Sequence, residues 1–306
     1  MRVVYVTGWC RSGSTVLANL LNELPGVVHV GELAYLWVNG VLRGGTNTQC
    51  GCGEDLGDCE VWTRVLDRVA GGDPAGHARE MVADHEALLR TRHIRARLAE
   101  AGGRVPVPDR VGRVTARMAA GYAAIGEVTG AKVIVDSSKF PAEAAALCGA
   151  PGLDVRVLHL VRDPRATAYS WRRAKAYIPA MGTARSSGYW TAFNLASELI
   201  ARGFPDRCLR VRYEDFVDSP DTVLADVMAL AGLEGPPPVN AQGEAVVGVN
   251  HTVTGNPDRL SRGPLRIRPD DAWRSGLPKR DALVATALAL PLLRRYGYRV
   301  APWTSS

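Results

Sequence analysis

Gly8-Trp9-Cys10-Arg11-Ser12-Gly13-Ser14-Thr15 is the stretch that decides the fold. Its spacing is that of a phosphate-binding loop, G-x-x-x-x-G-K-[ST], in which backbone N–H groups cradle phosphates and the lysine reaches the terminal phosphates of a nucleotide. Ser14 stands where that lysine belongs. Val3 to Val6 supply an apolar strand ahead of the loop. From Thr15 onward Val16, Leu17, Leu20, Leu21 and Leu24 fall at helical spacing. A strand, a glycine-bearing turn and a helix N-terminus together make an anion site. The expected anion is a phosphate, but not the end of a triphosphate, and Arg11 adds a charge that the backbone cannot supply.

Three further apolar runs, Lys132 to Val135, Val155 to Val161 and Cys208 to Arg212, each precede a polar turn and a helical pattern. Buried parallel strands alternating with helices give this pattern. The expected fold is therefore α/β, a three-layer doubly wound parallel sheet with a P-loop-like phosphate-binding loop. Ligands of such sheets bind at the carboxyl ends of the strands. Between the first two runs lies a long segment, about 33–131. Within it His77 to Ala101 reads as helix, with Met81, Leu88, Leu89, Ile94 and Leu98 as its apolar stripe. Arg90, Arg92, Arg95 and Arg97 read as the solvated face of that helix, with a substrate-facing basic patch as the alternative. Residues 234–248 lack periodicity and are expected to form a loop.

The chain of 306 residues has 37 Lys and Arg against 31 Asp and Glu, a net charge of +6. Such a surplus suits an anionic cofactor and does not call for nucleic acid. Only Lys132, Lys139, Lys175 and Lys279 are lysines, and so many arginines fit a GC-rich bacterial genome. The chain begins a strand within two residues of Met1, with no signal-peptide pattern. Ala282 to Leu293, apolar but holding Pro291, is about half a membrane span. A soluble, cytoplasmic protein without stable membrane insertion is expected, its six cysteines mostly reduced. Cys50, Cys52 and Cys59 form C-x-C-x6-C, which is not a usual zinc-knuckle spacing and has no fourth cysteine nearby. Three thiolates could hold zinc with a fourth ligand from elsewhere, but structural thiol or disulfide roles are expected there, and no metal.

The second informative stretch runs Val157-Leu158-His159-Leu160-Val161-Arg162-Asp163-Pro164-Arg165-Ala166-Thr167-Ala168-Tyr169-Ser170-Trp171. A strand ends in Arg162, Asp163 and Pro164 turn the chain, and Ser170 lies eight residues after Arg162 on the following helix. An arginine and a serine so placed can grip one phosphate between them, the first by charge-assisted bonds and the second by its hydroxyl.

The two stretches together resemble the sulfotransferases that use 3′-phosphoadenosine 5′-phosphosulfate (PAPS). The first is similar to their 5′-phosphosulfate loop and the second to their 3′-phosphate motif. The resemblance implies that Arg11, Ser12, Gly13, Ser14 and Thr15 hold the 5′ end of the donor and that Arg162 and Ser170 hold its 3′-phosphate. Val211-Arg212-Tyr213-Glu214-Asp215-Phe216 resembles the segment whose tyrosine lies against adenine. Gly255 to Gly263 resembles the loop that closes over the 3′-phosphate, with Arg259, Arg262 and Gly263 as its candidates, although Ser261-Arg262-Gly263 departs from the Arg-Lys-Gly of cytosolic members.

Glu32 follows the first helix about where tyrosylprotein and carbohydrate sulfotransferases place a catalytic glutamate. It is the expected base, with His251 and His29 in reserve. Lys139 ends Val135-Asp136-Ser137-Ser138-Lys139 and resembles a lysine that approaches the bridging oxygen, so Arg11 and Lys139 are expected to stabilise the charge that appears there. The products would be a sulfate ester of a metabolite, glycolipid or carbohydrate hydroxyl and 3′,5′-bisphosphoadenosine (PAP), with no metal. A single domain over 1–306 is implied, with a substrate-side insertion at about 33–131 and a cofactor-closing segment at about 250–306. The alternatives are a P-loop kinase, for which Asp136 could hold magnesium, and a nucleotide-binding module without catalysis.

Overall fold

Val3 and Tyr5 pack on one face of a central sheet and Val4 and Val6 on the other, and all four are fully buried. That period of two with both faces covered places their strand, β1 (Arg2–Thr7), in the middle of a layered α/β fold. The structure, a computed structural model, describes residues 1–173 and 179–300. Lys175 and residues 301–306 of the closing segment lie outside the described residues.

After β1 come α1 (Ser14–Asn22) and β2 (Val27–Gly31). The long segment that follows holds α2 (Glu60–Ala70), α3 (Pro74–Asp84), α4 (Ile94–Ala101) and α5 (Asp109–Thr129). The chain continues through β3 (Val133–Lys139), α6 (Pro141–Cys148), β4 (Asp154–Val161), α7 (Pro164–Arg172), α8 (Thr183–Gly203) and β5 (Cys208–Arg212). Helices α9 (Tyr213–Asp218) and α10 (Pro220–Ala231) close the sheet. A small antiparallel ribbon of β6 (Glu244–Val247) and β7 (Gly263–Arg266) leads to α11 (Ala272–Gly276) and α12 (Lys279–Arg295).

The five main strands are parallel in the order β2-β3-β1-β4-β5. Leu17, Leu20 and Leu21 of α1 and Leu224, Val227 and Met228 of α10 cover one face. Trp62 and Val65 of α2, Tyr122 and Ile125 of α5, the alanines of α6, and Ala196 and Ile200 of α8 cover the other. The expected three-layer parallel α/β sheet is borne out. Among the described residues no helix is long and apolar enough to cross a membrane.

The structure corrects three local expectations. An edge strand, β2, follows α1 after only a short turn, and its five residues end in Gly31. The helical stripe of 77–101 is two helices, because the backbone at Arg90 is extended (φ −70°, ψ 150°). Residues 244–247, expected as loop, are a strand held by β7. The second expected strand also runs on to Lys139. Its polar end is tolerated in the core because Ser137 Oγ donates to Gly31 O (3.0 Å) and Ser138 N to Asp136 Oδ1 (2.8 Å).

Candidate active site

The loop between β1 and α1 depends on two glycines for different reasons. Gly8 has φ 110°, and a Cβ there would sit 2.1 Å from Leu160 O of the neighbouring strand. Gly13, at φ 82°, caps α1 with its face against the Tyr213 ring, where a Cβ would meet Cδ2 at 2.7 Å. Arg11, between them, also adopts a left-handed backbone (φ 72°), and so does Lys139 at the end of β3 (φ 70°). Such a conformation costs a side-chain-bearing residue about 1–2 kcal/mol. Both residues are cations, and both line one large cleft of about 1350 Å³ at the carboxyl ends of the strands.

Gly13, Ser14, Thr15, Glu32, Ser138, Lys139, Arg162, Ser170 and Tyr213 line the same cleft. Ser12 is buried under the loop and does not reach it. Lys139 Nζ donates to Glu32 Oε1 (2.7 Å) and to Ser137 O (2.8 Å). Burial opposes the lysine charge, but Glu32 outweighs it and holds the Lys139 pKa above its ordinary value.

At the other end Arg162, only 7% exposed, lies with its guanidinium 4.2 Å from the Tyr213 ring centroid. Its Nη2 donates to the main-chain oxygen (2.9 Å) and Oδ2 (3.0 Å) of Asp270, and its Nη1 to Arg11 O (3.3 Å). Trp190 Nε1 donates to Arg162 O (2.9 Å) and fixes the strand end. Asp163 caps α7, accepting from Arg165 N at 2.8 Å, so the helix that carries Ser170 starts immediately after Arg162.

Three expected site residues are placed elsewhere. Arg259 is buried, with Nη2 donating to Asn47 Oδ1 and Gln49 O (both 2.8 Å). Arg262 donates to Cys52 O. Neither lines the cleft, nor does Gly263, although Gly255, Asn256 and Asp258 of the same segment do; both arginines turn to the 47–52 loop, and the residue that this region of the chain brings to Arg162 is Asp270. The reserve histidines are also elsewhere. His29 is buried between Asn19 Oδ1 (3.0 Å) and Ser137 Oγ (3.2 Å), and burial lowers its pKa to about 3. His251 stands with the three cysteines. Asp136 is fully buried and accepts from Tyr122 Oη (2.7 Å), facing away from the cleft.

Arg90, Arg92 and Arg95 line the cleft, so the substrate-facing alternative describes them better than a solvated face does. Arg97 instead turns inward to Glu100 (2.7 Å). An aromatic wall that sequence reading passed over completes the cleft. The Trp9 ring stacks on Trp171 (5.6 Å between centroids) and Tyr189 (5.1 Å), with Phe193 edge-on at 5.0 Å. Arg11 lies 5.1 Å from the Trp171 ring centroid. Four aromatics spread over three elements leave no local pattern, and only Trp9 carried a hint, from its place inside the loop.

Residues 116–237 match the model of the Sulfotransferase family, a span that contains Lys139, Arg162, Ser170 and Tyr213. Carbohydrate sulfotransferase 3 of Mus musculus is 27% identical over 170 residues, covering 49% of this chain and 35% of the mouse protein. The match thus spans about a third of that curated relative's length. Two solved structures share the fold: the sulfotransferase domain of the olefin synthase of Synechococcus PCC 7002, with TM-score 0.55, 21% identity, and 95% of this chain and 94% of that one covered, and the sulfotransferase domain from the curacin biosynthetic pathway, with TM-score 0.52, 16% identity, and 98% of each chain covered. The resemblance read from the two phosphate motifs is borne out: part of the chain matches the Sulfotransferase family model, and the chain is similar to sulfotransferases in sequence and in fold.

Proposed function

We propose that the chain is a PAPS-dependent sulfotransferase that moves a sulfuryl group to an acceptor hydroxyl. The observation that carries this reading is one cleft with an anion-binding loop and the Lys139–Glu32 pair in its lining, and with Arg162 and Ser170 in that lining too. The residues fit the donor. Gly8 and Gly13 let the loop pack against Leu160 O and the Tyr213 ring, where a side chain would collide, and Arg162 Nε is buried with no hydrogen-bond partner among the described residues. The donor would supply the sulfuryl group, its 5′ end held by Arg11, Gly13, Ser14 and Thr15 and its 3′-phosphate by Arg162 and Ser170.

Glu32 would take the proton of the acceptor hydroxyl as that oxygen bonds to sulfur. Lys139 and Arg11 would face the oxygen that leaves with PAP, where negative charge develops. Tyr213, between Gly13 and Arg162, would form one wall of the nucleoside pocket. The kinase reading loses its magnesium carboxylate, since Asp136 is turned into the core. Arg90, Arg92 and Arg95 favour an acceptor that carries negative charge, and the mouse relative's name makes a carbohydrate one candidate beside a glycolipid or small metabolite. The segment about 33–131 would serve the acceptor within a single domain.

The test is a thermal-shift comparison of PAPS, PAP, ATP and AMP, followed by sulfate transfer from PAPS to a panel of neutral and anionic hydroxyl acceptors. Stabilisation by PAP well above AMP, with ATP ineffective, is the expected outcome. Stabilisation by ATP and magnesium alone would overturn the reading.

A further inference from the structure

Three cysteines of one loop and a histidine 201 residues beyond the first of them meet at a point outside the cleft. His251 Nδ1 lies 3.3 Å from Cys59 Sγ and 3.8 Å from Cys50 Sγ, and Cys52 Sγ is 3.8 Å from Cys59 Sγ. All four ligand atoms fall within 4.8 Å of one another. A tetrahedral zinc, with Zn–S of about 2.3 Å and Zn–N of about 2.05 Å, spaces two sulfurs by about 3.8 Å and a sulfur and a nitrogen by about 3.5 Å. The observed separations bracket those values. We propose that Cys50, Cys52, Cys59 and His251 bind one Zn²⁺ in a closed structural site. The absence of a fourth cysteine argued against a metal in the sequence; the fourth ligand is a histidine that only the fold brings near.

The donor set selects the ion. Three thiolates and an imidazole suit zinc and leave no position for water or substrate, which makes the site structural and not catalytic. Cys50 and Cys59 are buried, and all six cysteines of the chain are free thiols. The surrounding backbone already holds the ligands. Cys50 N donates to Glu54 O (2.8 Å), Gly53 N to Cys50 O (2.9 Å) and Cys59 N to Asp55 O (2.9 Å), while Trp62 Nε1 donates to His251 O (2.9 Å).

The ion would staple the 47–59 loop to the strand-like segment that starts at Asn250. That segment runs directly to the cleft. Gly51 N donates to Thr252 O (2.9 Å), Val253 N to Val30 O (2.9 Å) and Glu32 N to Thr254 O (3.3 Å), and Thr254 to Asn256 line the cleft beside Glu32. The four ligands are thus positioning residues for the Glu32 backbone. Metal loss should raise the acceptor KM while the affinity for PAP, bound around Arg162, changes little.

The experiment is metal analysis of the full chain purified without chelator, with Co²⁺ exchange of the same protein. Close to one zinc per chain, released by a thiol-modifying mercurial, is expected, as is a Co²⁺ form with the intense visible bands of a tetrahedral site and thiolate charge transfer in the near ultraviolet. His251→Ala and Cys52→Ser should lose most of the metal, His251→Cys should keep it, and Cys208→Ser should leave the content unchanged. Metal-free protein with a Cys52–Cys59 disulfide or three freely alkylated thiols would overturn the proposal. So would a Co²⁺ form with only weak octahedral absorption. The cobalt spectrum needs no variant to fold, and none of these measurements depends on the proposed sulfuryl transfer.

Discussion

Lys139 Nζ and Glu32 Oε1 lie 2.7 Å apart at the ends of neighbouring strands, so the proposed base and the proposed electrostatic catalyst are one ion pair. Each holds the other in place. Residues that act as a unit lose activity non-additively. The double variant Glu32→Gln/Lys139→Ala should therefore be little worse than the poorer single one. Fully multiplicative losses in kcat would show that the pair is not a functional unit.

The two singles should still separate by acceptor. Loss of a general base costs about 10²–10⁴ in rate. An acceptor already ionised at assay pH needs no base, so it should rescue Glu32→Gln substantially and Lys139→Ala hardly at all. Near-normal kcat of Glu32→Gln on a weakly acidic alcohol would make Glu32 structural. His29 and His251 could not then take over, since neither faces the cleft.

Arg162→Ala should erase most of the preference for PAP over AMP. A charge-assisted bond to a phosphate is worth about 1.5–3 kcal/mol, or roughly tenfold or more in affinity. Equal binding of the two nucleotides by the unaltered protein, measured by calorimetry, would rule out a 3′-phosphate site at Arg162.

Asp270 occupies the guanidinium that a phosphate would need, and its side chain is 47% exposed. Asp270→Asn removes the competing charge and should tighten PAP binding several-fold without tightening AMP binding. An unchanged or weaker PAP affinity would mean that Asp270 helps to orient Arg162 and does not compete for it.

Asp136 sets a pH dependence of stability. Burial, reinforced by nearby Glu143, raises its pKa from 3.8 to about 7, while bonds from Ser138 and Tyr122 work against the rise. The folded state therefore holds a proton that the unfolded state has lost. This contribution is fully present below about pH 4 and fades as pH rises toward about 7, by an amount on the order of a few kcal/mol. Urea unfolding of Asp136→Asn should show a flatter stability profile over that window than the unaltered protein. Parallel profiles would place the titration elsewhere.

What the sequence revealed follows from where the signal is local. The phosphate loop, the strand before it and the helix after it are contiguous, so Gly8 to Thr15 could be read as one motif, and Arg162 and Ser170 share one strand–helix turn. Glu32 and Lys139 could each be named from its own neighbourhood, but their ion pair depends on β2, a short edge strand that periodicity did not reveal. Arg259 and Arg262 show the converse failure. Their segment resembles, with a departure, the loop that closes over a 3′-phosphate, yet their partners, Asn47, Gln49 and Cys52, lie about two hundred residues away in sequence. His251 carries no local sign of a metal site because its cysteine neighbours are equally remote.

The Tyr213 ring fills the space between Gly13 and the Arg162 guanidinium, and Arg162 also donates to the carbonyl of Arg11. The two proposed anion pockets would therefore share a partition and could not drift apart independently. On the proposed reading the protein would work as a fixed calliper with its jaws set for two phosphates joined through one ribose. Free phosphate or pyrophosphate would then close on only one jaw. Exchanging Tyr213 for a smaller residue would loosen the setting, and the first property to suffer would be discrimination among nucleotides that differ in where their phosphates are attached.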